Sequence, residues 1–174
     1  MKLSEDILQQ FDLDPKVERE PVNSMPVKEA LELLKECANR MISKSNVYRK
    51  TENADEQLDC IDIVISRLNE FTQIFKDIVI FMRKKEQSYK GNPDSLRYCI
   101  MSYDTFEFDK TTNEDAFLKE LLLRNEITHD YFNRSIHQQK LIQMMTGCIE
   151  GAKDVYEHLY DYCSRQGLME DVIP

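Results

Sequence analysis

Glycine is scarce in this 174-residue chain, with four residues, tryptophan is absent, and the five prolines stand at 15, 21, 26, 93 and 174. Glycine and proline are the usual helix terminators, so the long middle segments carry few breaks and long helices are predicted. No stretch approaches the run of about 18 apolar residues that spans a bilayer. The start, MKLSEDILQQFDLD, has acids where a signal peptide needs a basic flank and an apolar run, so a cytoplasmic protein is expected. Lys and Arg number 23 against 32 Asp and Glu, and the resulting net charge of -9 disfavours broad binding to nucleic acid, which depends on neutralised phosphates. A local basic site remains compatible with it. The five cysteines (37, 60, 99, 148 and 163) are odd in number and form no CxxC pair, which argues against a disulfide framework and a zinc knuckle. Reduced, mostly buried thiols are expected. No Gly-rich phosphate loop exists, so the chain is not itself a nucleotide-binding enzyme, and no cofactor or metal is expected. Alternating strand patterns and internal repeats are lacking too, which leaves an all-α class.

What is present is helical periodicity. Residues 1–25 read as an acidic N-terminal tail or docking arm, in which Ile7, Leu8, Phe11 and Leu13 offer a turn or two of apolar surface. Ser24 before Met25 and Pro26 is an N-cap signal. Ala30, Leu33, Leu34, Cys37 and Met41 then recur at three-and-four spacing, predicting a helix over about 26–46. After a polar connector, Leu58, Ile61, Ile65, Leu68, Thr72, Phe75, Ile78 or Val79, and Met82 trace one stripe over about 54–86. Gly91, Asn92 and Pro93 mark a turn, and Leu96, Cys99, Ile100 and Tyr103 a short third helix. Asn113 is the expected N-cap of a fourth, carrying Phe117, Leu118, Leu121 and Leu122. One last helix is predicted from about Ser135, stopping at Gly167. Short connectors between amphipathic helices predict an up-and-down four-helix bundle with an extra short helix over 26–166, followed by a C-terminal tail at 167–174.

Reactive side chains concentrate in LLLRNEITHDYFN, which holds Arg124, Asn125, His129 and Tyr131. Arg124 and His129 lie about 140° apart round an ideal helix, so they converge only where the helix ends, and HDYFN favours such an end. A guanidinium forks onto phosphate oxygens, and an imidazole gives or takes a proton near neutrality. Together they suit metal-free phosphodiester cleavage, with His129 as acid or base, Arg124 steadying the phosphate charge and Asn125 positioning either. The plainer reading pairs Arg124 with Glu120 one turn earlier and makes His129 a helix-end cap. His137 and His158 lack the surroundings of a metal site and are expected on the bundle surface. The run RKKEQSYK at 83–90 reads as a solvated helix end that could also touch phosphate. Met144, Met145, Phe71, Phe75, Phe81 and Met82 read as core or dimer surface.

The spacing Arg124, four residues, His129, one residue, Tyr131 resembles the RX4HXY motif of the HEPN superfamily, in particular the HepT-like toxins and the related nucleotidyltransferase substrate-binding proteins. Asn125 straight after the arginine fits the same pattern. The resemblance covers about 26–166 and implies a HEPN-like bundle that dimerises so that two motifs share one cleft. It implies a metal-independent ribonuclease of a toxin-antitoxin pair, with Arg124 and His129 catalytic and Asn125 assisting. It further implies an MNT-type nucleotidyltransferase partner that neutralises the toxin by transferring AMP to Tyr131. RNA is then the substrate, and no membrane is involved. The competing readings are a non-enzymatic binding subunit of such a nucleotidyltransferase, which the acidic charge favours, and a plain helical interaction domain.

Overall fold

The computed structural model describes residues 25–86, 95–127 and 134–174, and the side chains of these other than 125–127 and 134–137. Among the described residues there are six helices: α1 (Val27–Lys50), α2 (Ala54–Lys85), α3 (Leu96–Thr105), α4 (Thr112–Ile127), α5 (Arg134–Gly147) and α6 (Gly151–Arg165). The all-α reading holds, with one small addition. Two-residue strands β1 (Met25–Pro26) and β2 (Val172–Ile173) pair antiparallel.

The α1–α2 hairpin is the backbone of the fold. Its connector is shorter than the polar sequence suggested, because Tyr48, Arg49 and Lys50 complete α1 and only Thr51–Asn53 turn the chain. Asn53 caps α2 by accepting the Glu56 N–H at 3.0 Å. The α2 stripe is buried from Cys60 to Met82 and brings Phe71 and Phe75 into the centre. There Phe71 meets Phe117 of α4 edge-on at 5.4 Å and Phe75 meets Tyr103 of α3 at 5.7 Å. Each such ring, fully removed from water, contributes roughly 1.5–3 kcal/mol. Leu58, expected in the same stripe, is exposed.

The single last helix of the sequence reading is two. Met144, Met145, Cys148, Ile149, Ala152 and Val155 are all buried, so the apolar period runs on without interruption, yet the chain turns between α5 and α6 at Cys148–Glu150. Gly151 explains the geometry. A Cβ there would lie 2.3 Å from the Asn113 carbonyl oxygen, so the start of α6 approaches the start of α4 more closely than any side chain permits.

Gly167 ends α6 as expected. It adopts φ +69°, and the N–H groups of Gly167 and Leu168 return to the carbonyls of Ser164 and Cys163 in a Schellman arrangement. The residues beyond it then double back to the beginning of α1. The cap expected from Ser24 falls outside the described residues; instead the Val27 and Lys28 N–H groups donate to the carbonyls of Asp171 (2.8 Å) and Met169 (3.1 Å). Lys85 at the end of α2 holds Asp171 at 3.2 Å, and Ile173 is buried.

Candidate functional site

Two polar constellations stand out in the bundle. The first is the end of α4. Phe117, Leu121 and Arg124 are spaced four and three apart, which sets them on one face, and all three are buried. Arg124 is 1% exposed, the largest of the fully buried side chains. A permanent cation on an apolar stripe is expensive, so a sequence that keeps one there does so for a specific polar purpose. Its position in the last turn of α4 also sets positive charge beside the negative end of the helix dipole. Asn125 continues the α4 backbone, but its side chain lies outside the described residues, as do His129 and Tyr131 altogether. Of the four motif residues, then, the structure locates the arginine.

Several other charges of the bundle are occupied within the fold. Glu120 of α4 faces Lys140 of α5 at 3.9 Å. Arg49 donates to the Met145 carbonyl at 2.8 Å and so ties α1 to α5. In the basic run at the end of α2, Arg83 reaches Thr105 (3.2 Å) and Glu86 (3.8 Å), and Lys85 lies over the Phe81 ring at 5.3 Å. Phe71, Phe75, Phe81, Met82, Met144 and Met145 are core. All five cysteines are free and buried. Burial and the nearby Glu120 carboxylate push the Cys148 thiol up to about 11, and burial pushes Cys163 up to about 12, so both are unreactive thiols.

The second constellation joins α3, α4 and α6. Thr111, rather than Asn113, begins α4: its hydroxyl accepts the Glu114 N–H at 3.1 Å, and the Glu114 Oε2 accepts the Thr111 N–H at 3.2 Å. This capping box turns the Glu114 carboxylate inward, where it is fully buried. Its other oxygen accepts the Tyr103 hydroxyl and lies 2.8 Å from Nδ1 of His158. With a carboxylate oxygen as acceptor, the ring nitrogen is the donor. Burial, then the bond to Glu114 and its charge, raise the Tyr103 phenol far above its ordinary range, so it remains a neutral donor. Phe108 stacks on the His158 ring at 5.1 Å with an interplanar angle of 8°, and Thr111 also donates to Asp154 Oδ2 at 2.6 Å.

His158 keeps a place at the bundle surface, with 26% of its side chain exposed, but a buried acid 44 positions away holds its ring. The signal that would have found the acid is local: Thr111-Thr112-Asn113-Glu114 is a T-x-x-E capping box, whereas Asn113 drew attention as a cap on residue type alone. Among the described residues no three His, Cys, Asp or Glu side chains are placed to share a metal ion, and no helix is long and apolar enough to cross a membrane. No family model matches the chain, and neither the curated proteins nor the solved structures contain a match to it.

Proposed function

We propose that the chain is a HepT-like HEPN protein of a toxin-antitoxin pair, a metal-independent endoribonuclease whose site is the segment from Arg124 to Tyr131. The observation that carries this reading is a charge kept where charge is costly: Arg124 occupies the buried stripe in the last turn of α4, directly before the segment that holds His129 and Tyr131. In the proposed reaction His129 takes the proton of a ribose 2′-hydroxyl as that oxygen attacks the adjacent phosphorus, the 5′-oxygen leaves with a proton, and a 2′,3′-cyclic phosphate forms. Arg124 offsets the negative charge that gathers on the phosphate oxygens, and Asn125 orients it. A homodimer supplies two such segments to one cleft. An MNT-type nucleotidyltransferase would silence the enzyme by moving AMP onto the Tyr131 phenol.

A second reading is favoured by the burial of Arg124 itself. With 1% of its surface open, the guanidinium meets a phosphate only after its cover moves, and the net charge of -9 gives no long-range attraction to RNA. On this reading the bundle is a non-enzymatic partner subunit of the nucleotidyltransferase. Incubating the purified protein with RNA in the presence of a chelator separates the two. The nuclease reading expects products ending in 2′,3′-cyclic phosphate, lost in His129→Ala with the helical spectrum unchanged. Cleavage that persists in the variant would refute the catalytic role of His129. Absence of cleavage, with a stable complex formed on mixing with the nucleotidyltransferase, would favour the partner reading, since AMP on Tyr131 is expected of both.

A further inference from the structure

A strained segment and a buried acid meet at the His158 ring. Residues 106–111, between α3 and α4, include Glu107 at φ +56°, a left-handed conformation that a residue with a Cβ adopts only when its surroundings hold it there. The holding contacts converge on α6. Phe108 lies flat on the His158 ring, Phe106 packs on Tyr162 at 4.8 Å, and Thr111 bonds both Asp154 and the Glu114 carboxylate.

Charges of both signs lie on the elements packed around the ring. The acids are, on α6, Asp154, Glu157 and Asp161, the last paired with Arg165 at 2.8 Å; on α3, Asp104; in the segment, Glu107 and Asp109; on α4, Glu114 and Asp115, the latter paired with Lys119 at 2.8 Å; and at the end of α2, Glu86, which accepts the Tyr162 hydroxyl and lies 3.8 Å from Arg83. Lys110 is divided between Asp104 and Asp115 (3.3 Å to the latter), so it and the cations just named are drawn to acids other than Glu114. Tyr103 is neutral and offers a hydrogen bond without a charge. The group placed to neutralise the buried Glu114 carboxylate is therefore the His158 ring, and it does so only when it carries a proton on both nitrogens.

We propose that Tyr103, Glu114 and His158 form a proton-controlled latch, in which the doubly protonated His158 ring clamps residues 106–111 onto α6 and loss of its proton lets that strained segment go. An imidazole ring can carry one proton or two, so the clamp answers to the proton activity of its surroundings. The cationic ring also gains from the face of Phe108, so both contacts weaken together when the proton leaves. This inference stands independently of the ribonuclease reading.

The test follows the amide protons of the intact protein by NMR from about pH 5 to about pH 9, while the His158 ring resonances report its own titration. The most direct reporter is the Thr111 N–H, which is bonded to the same carboxylate. Once the intrinsic acceleration of exchange with pH is removed, protection at Glu107, Lys110 and Thr111 is expected to fall about tenfold or more with the midpoint read from the ring, a loss of roughly 1.4 kcal/mol of local stability per factor of ten. In His158→Asn, which keeps a neutral donor on the short arm, the pH dependence of protection should vanish. Protection that stays level while the wild-type ring titrates would overturn the latch, as would an unchanged pH profile in His158→Asn. The wild-type comparison decides the matter even if the variant does not fold.

Discussion

Thr111 and Glu114 cap each other: the hydroxyl of the first accepts the N–H of the second at 3.1 Å, and the carboxylate of the second accepts the N–H of the first at 3.2 Å. The same carboxylate is the acceptor for Tyr103 and His158, so a helix cap doubles as the polar centre joining three helices. Thr111→Ala is expected to lower stability by about 1 kcal/mol, the usual effect of losing an N-cap. Glu114→Gln should cost more, about 1–3 kcal/mol, since the amide turns a donor toward groups that also donate. Urea unfolding followed by circular dichroism measures both, and a glutamine variant as stable as the wild type would show that the carboxylate does not hold the cluster.

The two glycines around the α5–α6 turn should respond oppositely to alanine. At Gly151 the new methyl group would collide with the backbone of Asn113, and displacing one helix start from another costs about 1–3 kcal/mol. At Gly147 nothing lies within 4 Å of the added carbon, so the substitution should be neutral or slightly stabilising. Thermal melts of the two variants side by side measure this, and equal melting temperatures would contradict the close approach of α6 to α4.

The bundle's sequence was most legible where local pattern and tertiary burial coincide. The stripes of α1, α2 and α3 fall on the inward faces, because one apolar side per helix is all that a neighbour can cover. The break between α5 and α6 was hidden because Met145, Cys148, Ile149 and Ala152 keep a helical period straight across it. Burial of Arg124 could have been read from its register with Phe117 and Leu121, although the motif directed attention to its chemistry instead. The partnership of His158 with Glu114 was out of reach of periodicity, since it depends on how α4 and α6 pack.

The thiols give a prediction at alkaline pH. Cys148 and Cys163 are pushed up to about 11 and about 12 from an ordinary 9.0, so folding holds their protons more tightly than the unfolded chain does. Their contribution to stability is complete below the unfolded value and is lost as pH rises through the folded ones. Urea midpoints should therefore decline above about pH 9, and replacing both residues with alanine should flatten that decline. In the native state at about pH 8 a thiol reagent should find none of the five cysteines readily, and all five after unfolding. A rapid native-state reaction would contradict their burial.

The segment after Gly167 should matter more than its length suggests. Ile173 is buried, pairs with Met25 just ahead of α1 and belongs to a strand that packs on α2, so Ile173→Ala is expected to cost about 2 kcal/mol or more. Hydrogen exchange should show the loss concentrated at Val27 and Lys28, whose N–H groups the segment accepts. A loss spread evenly over all helices would argue against a local capping role.

That closure also bears on the order of assembly. The α1–α2 hairpin is joined by three residues and can form early, because little chain entropy opposes so short a loop. The β1–β2 pairing joins opposite ends of the described chain, and its loop-closure cost is repaid only once the intervening helices have condensed. The clasp is then expected to close after the helices have packed, and because it accepts the Val27 and Lys28 N–H groups its loss would expose the beginning of α1, although the two share no stretch of sequence.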